Sequence, residues 1–272
     1  MRLINIVPGR GPGLVLAALP FVGVAIAYAV ASAIRLADNP NDKLLPALTT
    51  MVEAVRGLAL KADARTGLWI FWSDTGASLE RLFVALAIAT ALALLIGIVM
   101  GLLPLASSLL GPFVAVVSMA PPLALLPILF IVMGLGEASK IGLIVIGALP
   151  FLIRDLAMRV KELPKEQLLK AQTLGASTWQ IALRVVVPQM LPRLIDAVRL
   201  SLGPAWLFLI AAEAIAADSG LGYRIFLVRR YLAMDVILPY VAWITLLAWI
   251  SDVVLRFVQA RAFPWFAEAR AS

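Results

Sequence analysis

One carboxylate lies deep within an apolar run, and it is the side chain in this sequence with the clearest chemical potential. Glu213 occurs in "WLFLIAAEAIAADSG", residues 206–220, where no other charge precedes it. A carboxylate at membrane depth is costly and usually faces a cavity or a partner. Two interpretations follow. Glu213 lines or gates a solute path, or it forms a structural pair or hydrogen bond between helices, close enough to the interface to stay hydrated.

A second polar feature is the proline-rich stretch "SMAPPLALLP", residues 118–127. Pro121, Pro122 and Pro127 remove three backbone donors from an otherwise apolar segment, and the freed carbonyls are tolerated where they line protein or a watery cavity. The stretch therefore either lines a path or kinks a helix for packing. Trp206, in a later apolar run, is either a packing residue or a gate. The candidate path or gate residues are Ser118, Met119, Pro121, Pro122, Trp206 and Glu213.

Several classes of chemistry lack the residues they need. The chain of 272 residues has no histidine and no cysteine, so the commonest general base, the commonest metal ligand and all thiolate chemistry are missing. No G-x-x-x-x-G-K-[ST] loop occurs, and "GRGPG" at 9–13 has no following Lys–Ser/Thr pair. We therefore expect no catalytic residue, no metal site and no cofactor in this chain.

The elements that must position these residues are membrane helices. The sequence is 62% hydrophobic and only 14% charged, and its mean hydropathy is +0.99, whereas a soluble domain carries about 25% charged residues. About 20 apolar residues cross a bilayer. On that criterion we predict an all-α membrane protein with six spans, at residues 13–34, 79–103, 109–134, 141–157, 194–217 and 236–258.

The spans divide the chain into a simple arrangement. Residues 1–12 form a cytoplasmic N-terminus, 13–264 a single transmembrane domain and 265–272 a cytoplasmic tail. Residues 36–79 lie on the outer side, with a surface helix over 46–60. The net charge of +7 falls mainly on the cytoplasmic side and close to the bilayer, where it serves orientation and lipid headgroup contact rather than nucleic-acid binding.

The longest cytoplasmic loop, residues 159–193, has the signals of two short helices joined by an elbow. Pro164 suits a first helical turn, and "KEQLLKAQTL" consists largely of good helix formers. Gly175 ends that helix as a left-handed cap. Ser177 and Gln180 have capping-box spacing and start a second helix, which we expect Pro188 to end. Such an elbow could fit a groove on a partner, or it could be a hairpin lying on lipid.

The loop resembles the signature of permease subunits in bacterial ABC importers, which reads Glu-Ala-Ala, three residues, Gly, nine residues, hydrophobic, one residue, Leu-Pro. Leu169 and Lys170 stand in place of the first two residues, and Val187 in place of the Leu. The matching residues are Ala171, Gly175, Val185 and Pro188. Further stretches resemble the nitrate, taurine, alkanesulfonate and bicarbonate branch: "ASLERL" at 77–82, "APPLALLPILFIVMGLGEASKI" at 120–141 and "AAEAIAADSGLGYRI" at 211–225.

The resemblance implies a type I importer permease in the bacterial inner membrane. It implies a homodimer of six-helix subunits, two cytoplasmic ATPase subunits that carry ATP and Mg, and a substrate-binding protein on the outer side. The helix within 162–175 would be the coupling helix, and the solute would be an oxyanion or sulfonate. The ATPase-docking residues implied in this way are Lys170, Ala171, Gln172, Thr173, Leu174, Gly175, Ala176 and Ser177.

Other functions remain open from the sequence. The same architecture could import a neutral or cationic nitrogen compound, which Glu213 would suit. An ATP-independent channel or carrier would require several paired intramembrane charges, and only Glu213 is convincingly buried in the pattern. A membrane-embedded enzyme would require a nucleophile, base or metal cluster, which the sequence does not offer.

Overall fold

A computed structural model describes residues 9–40, 42–64 and 67–266, so most of the expected N-terminal segment 1–12 and of the tail 265–272 lies outside the described residues. The described part is all-helical, without a β-strand. A 3₁₀ turn, Pro122–Leu125, precedes α5, and a π-helical turn, Ala182–Val186, precedes α9. The α-helices are α1 Arg10–Asp38, α2 Leu48–Leu60, α3 Ile70–Leu102, α4 Pro104–Val117, α5 Leu126–Met133, α6 Glu137–Lys161, α7 Lys165–Thr173, α8 Thr178–Ile181, α9 Val187–Ala216, α10 Leu221–Arg229 and α11 Met234–Ala262.

The described helices include five that are long and apolar enough to cross a membrane, and a sixth span if α4 and the Pro122–Met133 segment are counted together. These two pieces meet at 82°, at the point where the sequence places Pro121 and Pro122. The predicted all-α fold with six membrane spans is confirmed. The boundaries differ: the second span begins at Ile70 rather than at residue 79, and the fifth at Val187 rather than at 194.

The chain forms two compact units, of which the first comprises residues up to Phe71 together with Val228–Val241. In this unit the hydroxyl of Tyr28 on α1 donates to the carbonyl of Pro46 at 2.8 Å. Ser32 donates to the carbonyl of Leu45 at 2.9 Å. These two hydrogen bonds hold the loop before α2 against α1, whose apolar surface otherwise stays exposed.

The second unit comprises Trp72–Leu227 together with residues from Ala242 onward. Its core is formed largely by the helices α3, α6 and α9, and small residues on α3 let α6 approach closely. A Cβ added at Gly97 would lie 3.0 Å from Leu156 Cβ, and one added at Gly101 would overlap the side chain of Val160. Leu156 and Val160, one turn apart on α6, fill the two glycine positions on α3. Close backbone approach at small residues is a common way for membrane helices to associate.

The helix after the elbow does not end at Pro188, contrary to expectation. The backbone remains helical from Thr178 to Ala216, because one π-helical turn intervenes and the N–H of Val187 bonds to the carbonyl of Ala182. Pro188 thereby becomes the second residue of α9, where a missing N–H leaves no helical bond broken. The proline therefore causes a local change of helical pitch instead of a stop.

Substitution at Gly101 should test the α3–α6 contact. Because any larger side chain there meets Val160, Gly101→Val should destabilise the folded chain by about 1–3 kcal/mol, seen as a thermal unfolding midpoint lowered by several degrees in detergent. Gly111→Ala on α4, which adds a Cβ into open space, is the matched control and should be neutral or stabilising. Equal midpoints for Gly101→Val and wild type would contradict close packing here.

Candidate functional site

Glu213 lies at the centre of a buried polar cluster near the C-terminal end of α9. Its side chain is fully buried. It accepts hydrogen bonds from Ser78 Oγ at 2.8 and 3.0 Å, from Arg81 Nη1 at 2.7 Å and from the backbone N–H of Gly222 at 2.8 Å. Each carboxylate oxygen therefore has a donor of its own, Arg81 for Oε1 and the Gly222 N–H for Oε2, and the single Ser78 hydroxyl proton lies between the two oxygens. This arrangement stabilises the charged form in an apolar setting, where an unpaired carboxylate would be very costly.

Arg81 on α3 connects this carboxylate to α6. Its Nε and Nη2 atoms donate to the two oxygens of Glu137 at 2.5 and 2.8 Å, and Nη1 also donates to the carbonyl of Ser219 at 2.7 Å. Lys140 donates to Glu137 at 2.8 Å. Arg81 and Lys140 balance Glu137 and Glu213, so these four side chains together are neutral. We call these residues, with Ser78, the Glu213 cluster.

The backbone of the loop before α10 closes over the Glu213 cluster. Gly220 has a φ of +125°, which non-glycine residues rarely adopt, and a Cβ there would overlap the Glu213 carboxylate. Its N–H donates to Asp74 at 3.0 Å, and Arg224 Nε donates to the same carboxylate at 2.8 Å. The segment "DSGLG" is thus bound tightly to α3, and α10 begins within it at Leu221.

A separate cavity of about 430 Å³ lies beside the broken third span. Residues of the break, including Ser118 and Pro122, form one wall, and α6 with Phe208 of α9 forms the rest. Ser118 Oγ donates to the carbonyl of Ala115 at 2.8 Å and accepts from Arg154 Nη1, also at 2.8 Å. This cavity is where the polar group and the prolines predicted from sequence come together.

The six predicted path or gate residues occupy three different places. Ser118 and Pro122 line the cavity, while Met119 and Pro121 are exposed beside it without lining it. Trp206 is buried within α9, and its Nε1 has no hydrogen-bond partner in the described part of the chain. Glu213 lies in its own cluster. A group of three or more acid side chains able to hold a metal ion does not occur among the described residues.

The cytoplasmic elbow is built by two capping motifs in succession. Gly175 adopts a φ of +82°, its N–H bonds to the carbonyl of Gln172 at 2.9 Å, and that of Ala176 bonds to Ala171 at 3.0 Å. These two bonds form a complete Schellman motif at the end of α7. Ser177 and Gln180 then form the predicted capping box, with bonds of 2.8 and 3.3 Å. Backbone chemistry alone therefore fixes the turn.

Most of the residues implied for ATPase docking are exposed at this elbow. Ala171 and Ala176 face the core of the second unit, whereas Leu174 is 87% exposed at the tip. Gln189 of α9 holds α7 in place by donating to Gln167 at 3.2 Å. The exposed members of the predicted set are Lys170, Gln172, Thr173, Leu174, Gly175 and Ser177.

Sequence reasoning missed the partners of Glu213 and the basic residue in the cavity. The second span predicted from sequence starts at residue 79 and leaves Arg81 at its edge, but α3 begins at Ile70 and places Arg81 three turns inside. Arg154 falls near the cytoplasmic end of the fourth predicted span, 141–157. One signal could have identified Arg154 as a residue within the membrane span. It lies about 10 Å before Lys161, the last residue of α6.

The apolar spans and the span broken by prolines define a multi-pass membrane protein, and the helix–glycine–helix elbow is the feature by which the sequence resembles an importer permease. The family model described as "Binding-protein-dependent transport system inner membrane component" matches residues 70–267. The chain belongs to this family of inner-membrane permease subunits. Its members are transport subunits and not enzymes, ATP hydrolysis resides on a separate subunit, and the family implies ATPase and binding-protein partners.

Individual relatives agree with the branch indicated by the sequence. The chain is 37% identical to the taurine transport system permease protein TauC of Escherichia coli (strain K12), over 73% of this chain and 72% of that protein. It is 31% identical to the nitrate import permease protein NrtB of Synechococcus elongatus, over 54% and 53% respectively. A chain of the inward-facing MetNI methionine ABC transporter matches with a TM-score of 0.60 at 20% identity, over 74% and 97%, and supports the type I importer permease fold.

Removing either partner of the Arg81–Glu213 pair should destabilise the protein. Loss of one side of a buried pair costs roughly 3–5 kcal/mol, so Glu213→Gln and Arg81→Gln should each lower the unfolding midpoint in detergent. The double variant should lose less than the sum of both, because the two changes break the same contact.

Glu80→Gln is the matched control, since Glu80 is the exposed neighbour of Arg81 on α3. It should leave the midpoint within a degree or two of wild type. If Glu213→Gln retains wild-type stability but has altered uptake per folded molecule, the carboxylate acts on the solute path and its structural role is refuted.

Proposed function

We propose that this chain forms the translocation path of an ATP-driven importer for a small oxyanion or sulfonate, and that its elbow binds a separate ATPase subunit. The observation that carries the proposal is the elbow itself. It is fixed by the Schellman motif and the capping box, yet its tip at Leu174 is almost fully exposed. An apolar knob held rigidly by backbone hydrogen bonds is suited to a groove on another protein.

The length of helix behind the elbow supports a coupling role. Thr178–Ala216 is one helical run of 39 residues, so displacement of the elbow would be transmitted directly into the membrane. Gln189 holds α7 to this run, and Arg193 holds the C-cap residue of α6, Glu162, through an ion pair at 3.5 Å. α7, with the elbow, is thus the proposed coupling helix.

The broken third span supplies the proposed path. Pro121 and Pro122 interrupt the backbone hydrogen bonding within the membrane, and irregular backbone at that depth is tolerated where it lines protein or a water-filled cavity. The cavity lined by Ser118 and Pro122 meets that condition. It is open on one side in a single chain, and a second copy of this chain is the proposed closing wall. A homodimer in membrane lipid, with a binding protein on the outer side, completes the proposal.

The solute class rests on the relatives and on the state of Glu213. TauC and NrtB are named for taurine and nitrate, and taurine is itself a sulfonate. A free carboxylate in the path would repel such solutes, but Glu213 is neutralised by Arg81. The same pairing removes the residue that most favoured a cationic solute.

Changing Gly175 should disconnect ATP hydrolysis from transport. A bulky residue at φ +82° is strained by about 1–2 kcal/mol, and it adds volume at the docking surface. Gly175→Trp should therefore block assembly with the ATPase or abolish solute-stimulated hydrolysis, measured in proteoliposomes. Gly175→Asn, which tolerates this conformation, should remain coupled. An assembled and fully coupled Gly175→Trp complex would rule out the elbow as the docking site.

The stoichiometry should be two copies of this chain with two ATPase subunits. Native mass spectrometry of the complex purified through this chain measures it directly, and ATP-dependent uptake of taurine or nitrate by the same preparation tests the function. A complex that transports with a single copy of the chain would contradict the shared path. Uptake of a cation in preference to both anions would contradict the solute class.

A further inference from the structure

The cavity beside the broken span contains one cation without a counter-charge. Arg154 projects from α6, and its Nη1 donates to the hydroxyl of Ser118 at 2.8 Å. Across residues 9–40, 42–64 and 67–266, no carboxylate forms an ion pair with it. Asp155, which also lines the cavity, is paired with Arg159 at 2.5 Å. When Arg159 is counted with its partner Asp155, the charges at the cavity sum to the single positive charge of Arg154.

Arg154 lies about two turns before the end of α6, and it is exposed in the single chain. Along α6 it is about 25 Å from Glu137 and about 10 Å from Lys161. An arginine inside a membrane span usually faces a watery cavity and marks an ion or substrate pathway. Its guanidinium is a rigid fork of donors that matches planar or tetrahedral oxyanions better than an ammonium group does.

The rest of the cavity is suited to the remainder of an organic anion. Phe151, Met158 and Phe208 contribute apolar surface to the same space as Arg154 and Ser118. Ser118 Oγ donates its proton to Ala115, so it presents lone pairs to Arg154 and keeps that side chain oriented. A cation at one point and aromatic surface nearby would accommodate an oxyanion head with a short apolar body.

We propose that Arg154, oriented by Ser118, is the specificity-determining contact for a small organic oxyanion, a sulfonate, as it passes the broken span. This inference rests on the proposed function, because it places a solute subsite on the proposed path. A phospholipid phosphate presents the same oxyanion chemistry to Arg154, and the experiment separates the two sources.

The absence of native cysteine allows a direct measurement of the field in the cavity. A single thiol is introduced as Ala120→Cys in the cavity wall and, as reference, as Ala62→Cys, where the neighbouring Lys61 and Asp63 carry opposite charges. Each full-length chain in detergent reacts with anionic sulfonatoethyl and cationic trimethylammonioethyl methanethiosulfonate. The anion-to-cation rate ratio at Ala120→Cys, relative to the reference, should fall about tenfold when Arg154→Gln is added.

Matched variants test whether the charge of Arg154 causes the difference in labelling rates. Arg154→Lys should keep much of the ratio, and Lys161→Gln should not change it, although Lys161 on the same helix also donates to a serine, Ser107, at 2.7 Å. Ethanesulfonate should slow anionic labelling at Ala120→Cys. A ratio unaffected by Arg154→Gln overturns the proposal, and so does protection by added phospholipid but not by ethanesulfonate.

Transport by the complete importer in proteoliposomes separates this inference from the proposed function. Arg154→Gln should lower ATP-dependent ethanesulfonate uptake at least about tenfold, with assembly and basal ATP hydrolysis retained. Normal uptake by this variant overturns the role of Arg154 while leaving the importer assignment intact. A wild-type complex that imports no anion refutes the proposed solute class and this role together, whereas the labelling ratio still reports the cavity's charge.

Discussion

The buried ion pair between Arg81 and Glu213 is the interaction on which the second unit most depends. Burying either charge alone in an apolar interior would be costly, because the desolvation of each ion costs several kcal/mol. Together with Glu137, Ser78 and the backbone N–H of Gly222 they satisfy one another's hydrogen-bonding groups. With Lys140, which donates to Glu137, the result is a neutral polar cluster that joins α3, α6 and the end of α9 at one point.

The other end of the same three helices is held by a different kind of contact. There the glycines of α3 receive Leu156 and Val160 of α6, and Val186 and Met190 lie buried in the adjoining core. Polar pairing at one end and close van der Waals packing at the other leave little freedom between these helices. The cavity beside the broken span lies against this rigid group, which explains how a polar recess persists in a mostly apolar protein.

Local signals in the sequence were reliable where backbone chemistry decides the structure. Gly175, Ser177 and Gln180 predicted the elbow because a cap needs only residues within one or two turns. The prolines at 121 and 122 predicted the break. By contrast, Arg81 and Glu213 are 132 residues apart, and no periodicity in either helix reveals a partner on another element. Pro188 was misjudged for a related reason: a π-helical turn placed it at a permitted position, which depends on how the following helix packs.

The unbroken run from Thr178 to Ala216 has a mechanical consequence. At 1.5 Å per residue its 39 residues form a rod of roughly 58 Å, with the exposed elbow at one end and Glu213 three residues from the other. A tilt of only about 5° about one end would displace the opposite end by roughly 5 Å on the same helical geometry. Such a lever arm converts a small angular movement into a displacement larger than a solute's radius. The π-helical turn at 182–186 and the internal prolines Pro192 and Pro204 are the points at which the rod could flex.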